Sequence, residues 1–128
     1  MLEHDIQNSI RLAISENKLG VSFRTNVGQG WTGEKIIKNP NGSITIFKPR
    51  PFDTGLPTGF SDLLVINPTI ISPKMVGKQI AIAGFIEVKN LRGKPTTDQE
   101  NFIERMQELG AKAGIARSPD DALKILRS

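Results

Sequence analysis

The end of one apolar stretch carries the residues best suited to chemistry. Residues 79–89 (QIAIAGFIEVK) are almost entirely apolar until Glu87 and Lys89. In a β-strand, residues two apart point to the same face, so a carboxylate and an ammonium group leave this strand side by side. One interpretation is an exposed ion pair at a fraying strand end, worth at most about 1 kcal/mol. The other is a catalytic pair, because a strand that is apolar on both faces is typical of a sheet centre, where charges are rare.

Two more acids stand where they could join this pair. Asp62 opens a second apolar segment, residues 63–66, and neighbouring strand ends would bring it beside Glu87. Two carboxylates form a hard oxygen site that suits magnesium or manganese, whereas the alternative for Asp62 is a residue that bonds its own turn. Glu3 lies in register with the apolar face of an N-terminal helix, and its alternative role is a favourable first-turn charge.

A polar residue, Gln99, lies on the inward face of another predicted helix. It has the spacing of the apolar residues at 102, 103 and 106, so it is expected to face the interior as a supporting site residue. The helix starts within residues 96–100 (TTDQE), where Thr97 and Glu100 fit a capping box. If Thr96 is the cap instead, Gln99 is its capping-box partner, and the sequence leaves these two roles of Gln99 open.

The elements that must position these residues follow from periodicity and turn formers. The order is helix, several strands, helix, strand, helix, which predicts the α/β class with a mixed sheet flanked by helices in one domain, residues 1–128. The predicted segments are a helix at 2–19 ended by Gly20, strands at 21–27, 34–38, 43–48, 63–66, 79–89 and 113–116, a loop at 49–61, a helix from 96–100 to Gly110, and a last helix after Ser118 and Pro119.

Composition narrows the chemistry that is available. The 128 residues include no cysteine and one histidine, His4, which excludes a disulfide scaffold, a thiolate zinc site and a multi-histidine metal cluster. The net charge of +4 and the pI near 9.6 favour an anionic partner such as nucleic acid. Residues 1–10 lack the basic start and apolar stretch of a secretory signal, so a cytoplasmic location is expected, and the protein is taken to be intracellular, of phage or bacterial origin.

An ordered set of motifs runs through most of the chain: Glu3, Arg24-Thr-Asn-Val-Gly28, Gly59-Phe-Ser-Asp62-Leu, Glu87-Val-Lys89, Thr97-Asp-Gln99, Phe102, Gly110-Ala111 and Ala116 to Leu126. In this set the chain resembles, nearly end to end, the virus-type replication-repair nuclease domain (VRR-NUC), a branch of the PD-(D/E)xK nuclease superfamily. Ser61 stands where that family usually has a proline, and residues 31–57 match none of its motifs.

The resemblance implies a restriction-endonuclease-like fold and a metal-dependent DNA endonuclease. It implies Asp62 and Glu87 as ligands of Mg²⁺ or Mn²⁺, Lys89 beside the attacking water, and Gln99 and Glu3 as further site residues. It also implies branched DNA, such as four-way junctions, as substrate and a homodimer as the assembly. The alternative is a non-catalytic nucleic-acid-binding module of the same fold. Candidate phosphate contacts, each of which can also be a plain solvated charge, are Arg24, Lys35, Lys38, Lys48, Arg50, Arg92 and Lys94.

Overall fold

The structure, a computed structural model, describes residues 2–128 and belongs to the predicted α/β class. The described chain contains three α-helices, one short 3₁₀ helix and eight strands arranged in four two-stranded sheets. It divides into two compact units, which are residues 2–22 with Val65–Ser128 and, separately, Phe23–Leu64. That the chain forms one domain stays a prediction.

In chain order the elements are α1 (Glu3–Glu16), β1 (Val21–Arg24), β2 (Gln29–Thr32), β3 (Lys35–Lys38), β4 (Ile44–Phe47), β5 (Arg50–Asp53), β6 (Leu63–Ile66), the 3₁₀ helix (Pro73–Met75), β7 (Gly84–Val88), α2 (Thr97–Glu108), β8 (Lys112–Ala116) and α3 (Pro119–Arg127).

The first unit is organised around the parallel pair of β7 and β8. Their register places Glu87 opposite Ile115. Helices α2 and α3 both pack on β8, and the buried residues Met106, Ala113 and Ala116 lie at this contact. Gly114 allows the close approach of α3, because a Cβ there would meet the side chain of Ile125 at 2.9 Å. The strand that carries Glu87 is therefore supported through β8 and its two helices.

Both C-terminal helices begin with side-chain caps. In α3, the hydroxyl of Ser118 accepts from the backbone N–H of Asp121 at 3.1 Å, with Pro119 in the first turn as predicted. In α2, the cap is Thr96 with Gln99 as its capping-box partner. The expected Thr97 and Glu100 box is wrong, since Thr97 is already the first helical residue.

Helix α1 ends earlier than its apolar spacing indicates. It stops at Glu16, with Asn17 as the C-cap, and Lys18 takes the left-handed conformation with φ 55°. Gly20 is thus not the helix stop. Its φ is 133°, and a Cβ at this position would collide with the carbonyl oxygen of Ile66, so the glycine is required by close approach to another strand's backbone.

The second unit contains the predicted hairpin and a strand pair that was not predicted. Strands β3 and β4 pair antiparallel around the turn at residues 39–42, as expected. Strands β2 and β5 pair antiparallel beyond them, with Trp31 opposite Pro51. The expectation of a loop over residues 49–61 is wrong for Arg50–Asp53, because a proline is tolerated in a strand that has a partner on one side. We call β2 to β5, Gln29–Asp53, the ribbon.

The expected central strand is shorter and less enclosed than predicted. Residues 79–83 are not in a strand, and among residues 2–128 the strand β7 pairs with β8 alone. Val88, on the face of β7 opposite Glu87, is 74% exposed. The apolar run therefore did not indicate a strand covered from both sides, and the described sheets are pairs rather than one mixed sheet. No helix in residues 2–128 is long and apolar enough to cross a membrane.

Candidate active site

The side chains of β7 alternate in the way the sequence predicts, and the polar face is the more buried one. Phe85, Glu87 and Lys89 are half-buried, whereas Ile86 and Val88 on the other face are exposed. Phe85 stacks edge to face on Phe102 of α2, with ring centroids 5.4 Å apart. The apolar contact of β7 with α2 thus lies on the same face as the two charges.

Glu87 and Lys89 form an ion pair that is largely withdrawn from solvent. Lys89 Nζ lies 3.4 Å from Glu87 Oε1, and the two side chains are 19% and 32% exposed. The backbone N–H of Lys89 donates to the carbonyl of Ala116 at 3.1 Å. This hydrogen bond continues the pairing with β8 and fixes the position of the Lys89 backbone. Because screening by water falls with burial, this pair interacts more strongly than a surface pair of equal length.

Gln99 caps α2 and also contacts Glu87, while its role as a supporting site residue stays a prediction. Its Oε1 accepts from the backbone N–H of Thr96 at 2.9 Å, and its own backbone N–H donates to Thr96 Oγ1 at 3.1 Å, which completes the capping box. Its Nε2 donates to Glu87 Oε1 at 3.0 Å. The side-chain oxygen therefore caps α2 while the side-chain nitrogen orients the acid of β7.

A pocket between β7 and the start of α2 surrounds this acid. It is lined by Glu87, Gln99, Phe102 and Asp98, the last of which is an acid that the sequence analysis did not assign to the site. A sequence signal existed, since Asp98 is adjacent to Gln99 in the first turn of α2. The pocket thus combines acidic and amide residues with an apolar wall that includes Phe102.

The acids at this pocket suit a hard divalent cation only where water and substrate oxygens complete its ligands. Glu87 accepts from Gln99 through Oε1, and Asp98, a second acidic residue, also lines the pocket. No group of three or more His, Asp or Glu side chains in the described chain could hold a metal ion. Magnesium is commonly held by one or two carboxylates together with water and substrate phosphates, so this donor set is compatible with it.

The other two predicted site acids, Asp62 and Glu3, are not among the residues that line the Glu87 pocket. Asp62 belongs to the second unit, where its side chain is exposed and its carbonyl accepts from the N–H of Thr25 at 3.0 Å. Its expected place beside Glu87 stays a prediction. Glu3 is exposed in the first turn of α1, and no hydrogen bond or ion pair among residues 2–128 joins it to Glu87 or Gln99.

The predicted phosphate contacts are all exposed, and one is paired. Lys48 lies 3.2 Å from Glu34 on the ribbon. No role was predicted for Arg117, whose Nη1 donates to the carbonyls of Asn90 and Gly93 and so fixes the loop that carries Arg92. No local pattern indicates this contact, since it joins residues more than twenty positions apart. The exposed predicted cations are Arg24, Lys35, Lys38, Lys48, Arg50, Arg92 and Lys94.

One carboxylate of the ribbon, Asp53, has a perturbed pKa. The backbone N–H of Gly55 donates to Oδ1 at 2.7 Å and Gln29 Nε2 donates to Oδ2 at 3.2 Å. These hydrogen bonds, that of Gly55 first, lower the pKa of Asp53 below its ordinary value of 3.8. The ionised form of Asp53 is thus favoured mainly by the turn that follows β5 and secondarily by Gln29 of the paired strand β2.

Comparison with known proteins adds no relative to this picture. No protein-family model, no curated protein and no solved structure matches the chain. The function must therefore be argued from the site itself.

Proposed function

We propose that the protein is a metal-dependent DNA endonuclease that hydrolyses phosphodiester bonds by in-line displacement. The observation that carries the proposal is the half-buried group of Glu87, Lys89 and Gln99, in which one carboxylate is oriented by an ammonium and an amide. Withdrawing charged side chains from water beside an apolar pocket wall costs free energy of folding. Such an arrangement is typical of functional sites. The resemblance to the VRR-NUC domain, and the fold it implies, point to the same reaction.

In this proposal the acids hold the metal and the lysine acts on the reacting phosphate. Glu87 and, from the resemblance, Asp62 are the ligands, with Asp98 available in the Glu87 pocket. The bound metal would supply an activated water and neutralise charge on the phosphate. Lys89 orients the attacking water or stabilises the added negative charge of the transition state, for which its position beside Glu87 is suitable. Gln99 and Lys89 both contact Glu87 Oε1, so Oε2 is the oxygen that we assign as the ligand atom.

The substrate and assembly complete the proposal. The net charge of +4 favours a polyanion as partner, and the exposed lysine and arginine side chains can contact its phosphates. Branched DNA cut by a homodimer follows from the resemblance, since a two-fold assembly matches a substrate with two-fold symmetry.

The test uses purified protein with end-labelled linear duplex, single strand, flap and four-way junction. We expect cleavage with Mg²⁺ or Mn²⁺, none with EDTA, and the fastest cleavage on the junction. The matched control for Glu87→Gln is Glu34→Gln, which alters the exposed ribbon pair and is expected to leave cleavage unchanged. Binding of DNA without cleavage under any metal would instead support the non-catalytic module, and full cleavage in EDTA would disprove a metal-dependent reaction.

A further inference from the structure

The segment that follows Glu87 ends in a basic loop with an apolar tip. Residues 89–94 read Lys-Asn-Leu-Arg-Gly-Lys, and we call them the basic loop. Leu91 at its tip is 87% exposed, and Arg92 and Lys94 beside it are exposed as well. A leucine that is surrounded by cations and turned to water does not contribute to the core of the first unit.

The basic loop is held in one conformation by its own hydrogen bonds. The side-chain oxygen of Asn90 accepts from the backbone N–H of Arg92 at 3.0 Å and from that of Gly93 at 2.7 Å. The N–H of Gly93 also donates to the carbonyl of Asn90 at 3.2 Å, which closes a turn with Leu91 in its second position. Leu91 is thus presented by a turn rather than by a free chain.

A distant arginine reinforces the same turn. Arg117, at the end of β8, donates from Nη1 to the carbonyl of Asn90 at 2.5 Å and to that of Gly93 at 2.7 Å. Charge-assisted hydrogen bonds of this kind are stronger than neutral ones. Because the turn is ordered before any partner arrives, little conformational entropy is lost when Leu91 makes a contact.

The surroundings of Leu91 specify the chemistry of that partner. An apolar protein groove would have to take up Arg92 and Lys94 together with the leucine, which requires compensating acids. Nucleic acid offers both partners at once, because apolar bases lie between anionic phosphates. Proteins that distort DNA commonly insert leucine, isoleucine or phenylalanine at a base step while cations contact the flanking phosphates.

We propose that Leu91 inserts at an unstacked base step of the DNA substrate while Arg92 and Lys94 contact the adjoining phosphates. This inference rests on the proposed nuclease function and adds the feature of the substrate that is recognised. Lys89 begins the basic loop and also lies 3.4 Å from Glu87, so the distorted step is held next to the site of cleavage. Insertion of Leu91 requires the bases of one step to unstack, which costs free energy. DNA whose stacking is already weak, at a branch, nick or mismatch, is therefore preferred, because this cost is smaller there.

The test is a fluorescence measurement that does not need catalysis. DNA with 2-aminopurine at a branch point or beside a mismatch is mixed with the protein in EDTA, and fluorescence anisotropy of an end label reports binding in the same samples. We expect the wild-type protein to raise 2-aminopurine fluorescence, Leu91→Ala to bind without this rise, and Leu91→Phe to retain it. The matched control is Ile70→Ala, since Ile70 is 93% exposed in the same unit but lies outside the basic loop.

Cleavage assays then separate this inference from the proposed function. With metal present, Leu91→Ala is expected to lower the preference for branched over matched duplex about 10-fold, the scale for losing one base contact. Leu91-dependent fluorescence without any cleavage would disprove the nuclease and support the insertion. Cleavage with a normal fluorescence rise in Leu91→Ala would disprove the insertion and support the nuclease. Self-association that is lost in Leu91→Ala, with fluorescence unchanged, would assign Leu91 to contact with a second copy, and absence of DNA binding would disprove both proposals.

Discussion

Two Glu–Lys pairs in this protein have nearly the same length and different surroundings. Glu34 and Lys48 on the ribbon are 3.2 Å apart, with side chains 66% and 83% exposed. Glu87 and Lys89 are 3.4 Å apart, but they are largely withdrawn from solvent and Gln99 donates to the same carboxylate. Distance alone does not distinguish a surface pair from a candidate site. Burial and a third polar group do, because they raise the cost of the charges and fix their orientation.

Removing the charge of each glutamate gives the largest difference between the two pairs. Glu87→Gln keeps the shape of the side chain and removes a ligand charge, so we expect cleavage to fall roughly 10²- to 10³-fold or more while the protein remains folded. Glu34→Gln is expected to cleave at the wild-type rate. Single-turnover cleavage with saturating enzyme measures both variants, and equal rates for the two would remove the distinction between the pairs.

The lysines are compared in the same way. Lys89→Met keeps the aliphatic stem and loses the ammonium group, and we expect the chemical step to slow about 100-fold with DNA binding retained. Lys48→Met removes an exposed ammonium that is a candidate phosphate contact, so it is expected to lower DNA affinity at most and to leave the chemical step unchanged. A Lys89→Met protein that binds DNA more weakly but retains its single-turnover rate would limit Lys89 to a phosphate contact.

Two substitutions at Gln99 separate its cap from its contact with Glu87. Glutamate at this position can still accept from the N–H of Thr96, so Gln99→Glu is expected to keep the stability of α2 while cleavage falls about 10-fold, because the amide donor to Glu87 is replaced by a like charge. Gln99→Ala removes both functions and is expected to lower the free energy of unfolding by about 1 kcal/mol as well. Urea unfolding and single-turnover cleavage are measured on the same preparation. Wild-type cleavage by Gln99→Glu would confine Gln99 to capping.

The ribbon pair itself is expected to contribute little to stability. A double-mutant cycle with Glu34→Gln and Lys48→Met should give a coupling below about 1 kcal/mol, since both side chains are solvated. The coupling should disappear in 1 M salt, where the Debye length is about 3 Å. A larger coupling that persists in salt would show that exposure is not what separates the two pairs.

The smallest effect concerns Asp53 on the ribbon. Its pKa is lowered by hydrogen bonds, so its contribution to stability is present above the ordinary pKa of 3.8 and is lost as the pH falls through the lower, folded value. Gln29→Ala is expected to raise the pKa of Asp53 only part of the way, because the larger cause, the N–H of Gly55, remains. Carboxyl-carbon NMR titration of both proteins measures the difference. An unchanged pKa would exclude Gln29 as a cause.

The sequence predicted the local features well where one side chain determines them. The Ser118 cap, the pairing of β3 with β4, and the common face of Glu87 and Lys89 all follow from short-range rules. Features set by contacts between distant residues were not predicted. The approach of Gly20 to Ile66 and the contact of Arg117 with the turn at Asn90 have no local signal.

Two errors came from rules that were applied too strongly. Three prolines, at positions 49, 51 and 57, together with glycines and small polar residues indicated a loop, although a strand with one partner accepts proline, so β5 was missed. The apolar run at residues 79–83 indicated a strand, although apolar residues alone do not supply a pairing partner. The candidate site was predicted only in part, because some of its residues are distant from one another in sequence. Glu87, Lys89 and Gln99 lie close to one another in sequence, whereas the place of Asp62 and Glu3 depends on longer-range structure.

The double hydrogen bonding of Gln99 also links the dynamics of α2 to the orientation of its acid. The first turn of a helix is usually among the first parts of a protein to fray, and such opening normally has only local effects. Here, the residue that completes the cap at Thr96 also donates to Glu87 Oε1, which Lys89 contacts as well. Opening of the helix start that displaced Gln99 would leave the carboxylate with the ammonium alone, so the alignment of the acid depends in part on the lifetime of one helix cap.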